Sequence, residues 1–403
     1  MADFIVLATA DWDHPLWTNK QHTAQALVDA GHRVLYVESL GIRAPRVGAA
    51  DRTRIVRRLR RMLQLPRRRL DGLWVWSPPV LPGGHVGIGL WLNRVLLRAG
   101  LWLSIRWLRF RRPILWTYNP LTTLYVDLER FAGSVYHCVD RIQAQPCMPA
   151  ERIEVNEQQL SRQVDVLFTT SPELQITHSR WNLGSRMFGN VADHRHFSQA
   201  RHPLPCPTPL QASPRPRVMF MGAIDAYKLD LQLMHQLILR HPEWSFVLIG
   251  PVGECDPSTD VAALDACSNV QLVGPQPYDA LPAWLAHADV ALLPLQLNGY
   301  TRNMFPMKFF EYLSAGLPVV ATAIPALTTH ADVAWLCESH VEAFEQAIHA
   351  ALAGDGPTLE QRLARARTQT YEVRTQAMLE ILQQQGLLGG RGKQQPIVQA
   401  HGR

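Results

Sequence analysis

The sequence predicts an α/β protein made of two doubly wound, Rossmann-like domains that face one another across a cleft. Short apolar runs alternate with helical segments along most of the chain, which is the pattern of a parallel sheet wrapped by helices. The 403 residues exceed one typical core, and 47% of them are apolar, so two cores can form. A proline-rich segment separates two such series.

The first series spans residues 1–200. It opens with the apolar run FIVLATA, which suits a buried strand, and continues with the helix HTAQALVDAGH, which Gly31 ends. Ser171 ends the last apolar run and can cap the next helix, with Pro172 in its first position. The strands predicted after the first are RVLYVES, LWVWSP, PILWTY, SVYHCVD and VDVLFTTS.

The second series follows a break at residues 201–217. Six prolines in these seventeen positions predict a linker without regular structure. Residues 218–375 then carry the strands VMFMG, WSFVLIG, VQLVG, DVALLPL and VVAT, with helices between them. A helix end and a disordered tail are expected over 376–403, and this C-terminal helix can cross back to the first domain.

Composition narrows the class of protein. The six cysteines are scattered without a C-x-x-C pair, which argues against a zinc site and against a disulfide framework and fits a reducing cytosol. The N-terminus leads directly into a probable strand, so no signal peptide is expected. No G-x-G-x-x-G or P-loop motif occurs, which disfavours a nicotinamide dehydrogenase and a P-loop enzyme.

The net charge of +6 comes largely from one region, residues 52–112. Its first part, RTRIVRRLRRMLQLPRRR, contains no acid, and GIGLWLNRVLLRAGLWLSIRWLRFRR follows after a short gap. We interpret both as basic amphipathic helices that contact an anionic membrane surface. A solvated arginine face beside an ordinary buried helix is the alternative. Nucleic acid is not expected as a partner, because no recognised binding module accompanies the arginines.

The segment NMFPMKFFEYLSAGLPVVAT (303–322) carries the chemistry of the second half. Pro306 suits a helix start and Gly316 a helix end, which predicts a helix over 306–315. Its free N–H groups and positive dipole end attract an anion, and Lys308 adds a full charge. Glu311, one turn further, suits the hydroxyls of a ribose. An ordinary surface Lys–Glu pair is the alternative.

Open α/β sheets bind ligands where their strands end, so residues just after strands are further candidates. In the second half these are three glycines that free the backbone to approach a ligand, although each could be an ordinary turn glycine. They are Gly222, Gly250 and Gly274. Arg302 can help with phosphate or with an acidic sugar.

In the first half, Asp140 ends the run SVYHCVD, where a carboxylate can deprotonate an acceptor hydroxyl. Capping of the following helix is the alternative role. The loop after the first strand offers His14, Trp17 and Lys20 to an acceptor sugar, with simple loop packing as the alternative. No metal or other cofactor is expected, because Lys308 and the helix dipole can stabilise a departing nucleotide diphosphate.

PMKFFEYLSAGLPVVAT, with GPQPYDALPAWLAHADVALLPL ahead of it, resembles the nucleotide-sugar half of GT-B glycosyltransferases. The likeness is greatest to bacterial family-4-like enzymes of surface and capsular polysaccharide synthesis and to the glucuronosyltransferase-like group. GNVADHRHF resembles the family's N-G-V-D-x-x-x-F stretch. The resemblance covers about residues 1–385, and its specific part is 270–322.

The resemblance implies roles for individual residues and a UDP-linked donor. Lys308 would meet the diphosphate, Glu311 the ribose, and Met307 and the backbone near Gly274 the base. Two positions depart from the family pattern. Asn303 stands where many retaining members have Glu. Ala223 stands where the family commonly has an arginine, and Lys228 is the nearby cation. Inverting and retaining outcomes therefore both stay open.

The leading hypothesis is a cytoplasmic glycosyltransferase, peripheral on the inner membrane face, that moves a sugar from a nucleotide-diphosphate sugar to a lipid-linked or oligosaccharide acceptor. A nucleotide-sugar epimerase on the same architecture is a second hypothesis, although it has no use for the basic region. A non-catalytic GT-B-like binding protein is the third, which Asn303 permits.

Overall fold

A computed structural model describes residues 1–14, 17–41, 65–80 and 86–388, and every structural statement below refers to these residues. The predicted helix over the early arginines, residues 52–64, lies outside the described part, as does the expected tail from 389 onward. The described chain forms two α/β domains with one parallel sheet at the centre of each. The predicted fold class is confirmed.

The first domain is built on an eight-stranded sheet in the order β3-β4-β2-β1-β5-β6-β7-β8. Neighbouring strands are parallel except β3 and β4. Its strands are β1 (Asp3–Leu7), β2 (Arg33–Val37), β3 (Arg67–Leu70), β4 (Leu73–Trp76), β5 (Ile114–Thr117), β6 (Gly133–Cys138), β7 (Val166–Thr169) and β8 (Arg186–Met187).

The second domain has a fully parallel six-stranded sheet in the order β11-β10-β9-β12-β13-β14. Its strands are β9 (Arg217–Met221), β10 (Ser245–Ile249), β11 (Val270–Gly274), β12 (Val290–Leu293), β13 (Val319–Thr322) and β14 (Trp335–Cys337).

Helices cover both faces of each sheet, as the alternating pattern predicts. In the first domain they are α1 (Asn19–Asp29), α2 (Gly87–Trp107), α3 (Thr122–Tyr125), α4 (Ala150–Gln163), α5 (Pro172–Ser179) and α6 (His194–Phe197). They continue with α7 (Thr208–Gln211), α8 (Leu231–Arg240), α9 (Ala262–Asp265), α10 (Leu281–Leu285), α11 (Lys308–Ala315), α12 (Val341–Ala353), α13 (Leu359–Thr368) and α14 (Tyr371–Gln384).

The strand order fixes where ligands can bind. In each sheet the first strand of the domain lies in the middle, and the chain turns outward in opposite directions on its two sides. The crevice at such a switch point, beyond the carboxyl ends of the strands, is the usual ligand site. The switch points lie between β1 and β5 and between β9 and β12, and contacts between the domains bring them to one cleft.

The proline-rich segment between the domains is more regular than the sequence predicts. Thr208–Gln211 form the helical turn α7, with a proline in its first turn, where proline is tolerated. Leu210 is fully buried in the core of the second domain, and Arg217 already belongs to β9. The expectation of a linker without regular structure is therefore wrong. Pro207 and Pro209 lie at the cap and in the first turn of α7, where proline is tolerated, and Leu210 is held in the core.

A second correction concerns the end of the basic segment. Arg67–Leu70 form the edge strand β3, antiparallel to β4, instead of the end of an amphipathic helix. Gly72 has a φ of +82°, and the Asp71-Gly72 pair joins the two strands as a tight hairpin. The turn chemistry thus decides against a helix here.

Helix α2 is a single helix, and its exposed face is apolar. Asn93, Leu97, Leu101 and Ser104 are its buried residues. Its large exposed side chains are Ile88, Trp91, Val95, Trp102, Leu103 and Trp107. Within the described residues, α2 has the length and composition to cross a membrane, with 22% of its apolar window buried. The exposed face of α2 is therefore more apolar than the outer face of a typical amphipathic helix.

The C-terminal helix α14 returns to the first domain. Met378, Leu379 and Leu382 are buried in the core cluster that also contains Phe4 and Trp116 of the first sheet. The structure places this return at Tyr371, a few residues before the expected boundary at 376. The two domains are therefore joined twice, by the proline-rich segment and by α14.

Candidate active site

The second-domain side of the cleft is built around the start of α11. The helix begins at Lys308, two residues later than predicted, and Gly316 ends it with a φ of +86°, as expected. Phe309 and Phe310 are buried in the core of the domain. Lys308 Nζ lies 2.7 Å from Glu311 Oε2, so the two charges of this segment form an ion pair.

Glu311 lies under Lys308 on the side of the helix that faces the first domain. Its side chain is 4% exposed and that of Lys308 is 24% exposed. Burial raises the pKa of Tyr278 and of Tyr371, and the neighbouring Glu311 carboxylate raises both further. The acid is therefore close to the loop after β11 and to the start of α14. The surface-pair alternative does not describe a carboxylate with this burial.

The loop that leads into α11 is held by the first domain. Ser171 Oγ donates a hydrogen bond of 2.8 Å to the carbonyl oxygen of Asn303. Asn190 Nδ2 donates one of 2.6 Å to the carbonyl oxygen of Phe305. Asn303 is buried, and its own Nδ2 donates to the carbonyl oxygen of Gly299 at 2.8 Å. The side chain of Asn303 thus fixes the loop that leads into α11, and a contact of Asn303 with the donor stays a prediction.

Met307 and Arg302 lie on either side of the loop that leads into α11. Met307 packs against the cluster of Ala26, Val191 and Tyr371, and its sulfur lies 3.8 Å from Nδ2 of Asn19. It is part of the contact between the domains, because the cap of α11 meets α1 there, and its contact with a base stays a prediction. Arg302 is exposed on a short helical turn.

The three candidate glycines have different roles. A Cβ on Gly250 would lie 1.9 Å from the carbonyl oxygen of Gly222, so the close approach of these two strand ends requires glycine. Gly222 and Gly250 both belong to the ladder at the strand ends, through bonds from their N–H groups to Ile249 and Gly274. A Cβ on Gly274 would meet nothing within 4 Å, and this glycine borders open space.

Asp140 lies where charges from both domains meet. It follows β6, and burial raises the pKa of its carboxyl, while Lys20, Lys228 and a hydrogen bond with Tyr300 lower it. Burial also raises the pKa of the Tyr300 hydroxyl, which therefore stays protonated and can donate to Asp140. Gln145 Nε2 donates to Tyr300 Oη at 3.4 Å. A carboxylate whose pKa is raised, with nearby cations, is suited to general-base work.

Lys228 connects the second domain to this group. Its Nζ lies 3.5 Å from Oδ2 of buried Asp225 and over the rings of Tyr227 and Tyr300, at 5.0 and 5.9 Å from their centroids. The lysine is half-buried. It lies in the loop after β9, and its carbonyl oxygen accepts a hydrogen bond of 2.9 Å from the N–H of Gln296, which follows β12.

The expected acceptor residues lie at the first-domain side. Lys20 is half-buried over the Tyr118 ring, and burial lowers its pKa while Asp140 raises it. His14 Nε2 lies 3.4 Å from Oε1 of Glu254 in the second domain, so this loop also bridges the cleft. Trp17 is half-buried with its ring 5.0 Å from that of Trp12. The loop-packing alternative therefore describes Trp17 better than a free acceptor platform.

Several residues that sequence reasoning missed line the space between α1, α11 and α14. His22 stacks on Tyr371 at 4.3 Å, and burial followed by the charges of Arg374 and Lys308 lowers its pKa to about 3. Buried Arg374 donates to Oδ1 of Asn19 at 2.9 Å and to Oγ1 of Thr23 at 3.1 Å. Both rings are buried, so this stack belongs to the packed contact between α1 and α14.

Within the described ranges, two groups of three side chains could hold a metal ion. One comprises Cys138, Glu157 and His178, and the other His241, Glu345 and His349. Neither includes Asp140, Lys308 or Glu311. All six cysteines are free thiols in the structure.

Comparisons with known proteins agree with this geometry. Residues 215–372 match the family model Glycosyl transferases group 1. A Bacillus subtilis (strain 168) protein, assigned as the teichuronic acid biosynthesis glycosyltransferase TuaH, is 32% identical over 107 residues. The matched region covers 27% of this chain and 26% of that relative, so this chain spans about a quarter of it.

Solved structures match over nearly the whole chain. Sucrose-phosphate synthase from Thermosynechococcus elongatus has a TM-score of 0.70 at 16% identity, over 95% of this chain and 99% of that one. Anabaena HepE with UDP and glucose has a TM-score of 0.64 at 14% identity, over 95% and 99%. WaaG, a glycosyltransferase involved in lipopolysaccharide biosynthesis, has a TM-score of 0.58 at 13% identity, over 94% and 99%. The chain therefore has the GT-B fold, and its residues 215–372 are similar to the family Glycosyl transferases group 1.

Proposed function

We propose that this protein is a glycosyltransferase that moves a sugar from a nucleotide-diphosphate sugar to a hydroxyl of a lipid-linked or oligosaccharide acceptor in cell-surface polysaccharide synthesis. One observation carries the proposal. Lys308 and Glu311 lie at the start of α11 in the group 1 domain, and Asp140 of the other domain lies in the same cleft, with Lys228 close to it. In this proposal Lys308 and Glu311 bind the donor, and Asp140 is the base for the acceptor.

The donor would lie against α11 with its diphosphate outermost. The N–H groups and dipole at the helix start favour an anion, and Lys308 adds a positive charge that the phosphate would share with Glu311. The carboxylate of Glu311 can accept hydrogen bonds from the two ribose hydroxyls. Because the carboxylate is one turn deeper than the lysine, it does not repel the phosphate directly.

Asp140 would act as the base in a displacement at the anomeric carbon. The acceptor hydroxyl gives its proton to the carboxylate of Asp140 as its oxygen forms a bond to that carbon. The bond from the anomeric carbon to the phosphate oxygen breaks, and the nucleoside diphosphate leaves with the electron pair. Lys308 and Lys228 would stabilise the charge that develops on it. Direct attack of this kind inverts the configuration, so the anomer of the product tests the step.

UDP is the proposed carrier of the sugar. HepE, which shares the fold, was solved with UDP and with UDP and glucose. The assignment of TuaH to teichuronic acid biosynthesis and of WaaG to lipopolysaccharide biosynthesis supports a role in surface polysaccharides. A sucrose-phosphate synthase and an α,α-trehalose-phosphate synthase share the fold, so the acceptor needs its own test.

Helix α2 supports a peripheral position on the inner face of the cytoplasmic membrane. Its exposed side includes Trp91, Trp102 and Trp107, each at least half exposed, and tryptophan favours the interface of a bilayer. Arg94 and Arg98 donate to the carbonyl oxygens of Leu124 and Tyr125 at 2.7 and 2.9 Å. These carbonyls belong to α3, which follows the carboxyl end of β5, so α2 lies close to the acceptor side of the cleft.

Turnover of a panel of nucleotide sugars tests the proposed function. We expect one UDP-sugar to be consumed in the presence of membrane-extracted acceptors, with release of UDP, and Lys308→Met to abolish this turnover. His235→Ala serves as a matched control, since His235 lies on α8 outside the cleft. If no nucleotide sugar binds or turns over, the proposal is wrong and a binding role on the same fold remains.

A further inference from the structure

We propose that His241, Glu345 and His349 form a binding site for a divalent transition-metal ion such as Zn²⁺, on the second domain and away from the cleft. One ligand atom of each residue lies within 4.8 Å of those of the other two. Glu345 and His349 are one turn apart on α12, and His241 follows the end of α8. An ion there would link the two helices. The cysteine pattern argued against zinc, but this group contains no cysteine.

The spacing of the ligand atoms suits a tetrahedral ion. His241 Nε2 lies 3.1 Å from Oε1 of Glu345. Ligands that are each about 2.0–2.1 Å from a tetrahedral Zn²⁺ are about 3.3 Å from one another. A small shift of the exposed His349 side chain would complete three positions and leave the fourth to water. Two imidazoles with one carboxylate favour zinc-like ions, whereas Mg²⁺ prefers oxygen ligands.

Surrounding groups hold the ligands in orientation. Glu243 Oε1 lies 2.8 Å from Nδ1 of His241, so Nδ1 can donate to it. Nε2 contacts Glu345 without an ion and would exchange that hydrogen bond for the metal. A carboxylate behind a ligating histidine is the usual support of a zinc site. The ring of His241 also stacks on Trp244 at 3.7 Å, with the planes 8° apart.

Arg240 leaves one carboxylate oxygen of Glu345 available. Its Nη1 donates to Oε2 of Glu345 at 3.0 Å, and its Nη2 donates to Glu342 at 2.6 Å. Oε1 is the oxygen that faces His241. Arg240 is 44% exposed, and solvent therefore screens its repulsion of a cation.

The site is separate from the proposed chemistry. His241 precedes β10 and so lies at the amino ends of the strands, whereas the cleft lies at their carboxyl ends. Metal binding at this place would stabilise the domain without entering the transfer reaction.

Calorimetric titration of the full chain with ZnCl₂ at pH 7.5, after treatment with a chelator, tests the proposal. We expect wild type to bind one equivalent of Zn²⁺ and both His349→Ala and Glu345→Gln to lose it. This equivalent should raise the melting temperature of wild type and leave that of the two variants unchanged. Glu243→Gln should weaken the same equivalent by about 10-fold or more, because it removes the support of His241. MgCl₂ should give no such binding.

A matched control is available at His340. This histidine lies 3.6 Å from the carboxylates of Glu338 and Glu342, caps α12, and is outside the group. His340→Asn keeps a capping side chain and should bind Zn²⁺ like wild type. The proposal is overturned if wild type binds no Zn²⁺, if His349→Ala keeps the full stoichiometry, or if His340→Asn loses the same equivalent.

Discussion

Replacement of Asp140 by asparagine is the sharpest test of the proposed chemistry. The amide keeps the shape of the side chain and removes both the negative charge and the ability to accept a proton. The surroundings make the charge important, because Lys20 and Lys228 both act on this carboxyl. We therefore expect Asp140→Asn to change the rate of transfer and the affinity for the donor in different ways.

The expected magnitudes follow from the two roles of the carboxylate. Loss of a general base lowers kcat by about 10²- to 10⁴-fold, or about 3–5 kcal/mol in the barrier. Donor affinity should stay constant or increase, because the two lysines no longer share their charge with an acid. Asp140 raises the pKa of Lys20, so the variant should also make this lysine easier to deprotonate.

Steady-state kinetics with the accepted UDP-sugar, together with UDP titration by calorimetry, measures both effects. Wild type should lose activity as the pH falls through the raised pKa of Asp140, because the base must be deprotonated, and Asp140→Asn should lack this limb. Asp127→Asn is the control, since Asp127 is exposed and paired with Arg130. A kcat within about threefold of wild type would refute the assignment, since that is far below the effect of a base.

Three further outcomes are expected. Glu311→Gln should weaken UDP binding by about 10-fold, since hydrogen bonds to a charged acceptor contribute about 1.5–3 kcal/mol, and equal calorimetric affinities would contradict the ribose contact. Asn303→Glu should lower the free energy of unfolding by about 1–3 kcal/mol in urea, because the buried side chain could no longer donate to Gly299, and no gain of activity is expected. Trp102→Ser should reduce co-sedimentation with anionic vesicles. Leu183→Ser should not reduce it, because Leu183 is 93% exposed but lies outside α2. Equal co-sedimentation of the two variants would show that α2 does not contact the membrane.

Most strands could be predicted because buried parallel strands are short apolar runs. The run VQLVG and the strand Val270–Gly274 coincide, as do VVAT and Val319–Thr322. The hairpin at Asp71-Gly72 was not predicted. An Asp-Gly pair between two short runs is a local hairpin signal, but the arginine-rich run before it favours an amphipathic helix. The two-residue strand Arg186–Met187 has no such signal, since its place is set by pairing with β7.

The site divides in the same way between local and distant causes. The end of α11 at Gly316 and the proximity of Lys308 and Glu311 follow from a few neighbouring residues, so the sequence could predict them, whereas its start lies two residues later than predicted. The places of Met307, Tyr371 and Arg374 depend on how α14 returns to the first domain, more than sixty residues after α11 begins. A periodic pattern cannot predict such a contact, because a buried arginine on a helix looks the same as a solvated one.

The position of α11 depends on how the two domains dock. Ser171 and Asn190 of the first domain hold the carbonyl oxygens of Asn303 and Phe305, directly before α11. Ser171 also caps α5, because its Oγ accepts a hydrogen bond from the N–H of Leu174. The hydroxyl that contacts the loop before α11 is therefore fixed by a helix of the first domain. Any opening of the cleft must break these bonds and release the loop before Lys308. Donor binding and cleft closure would then be coupled, since the geometry at the start of α11 is complete only when both domains meet.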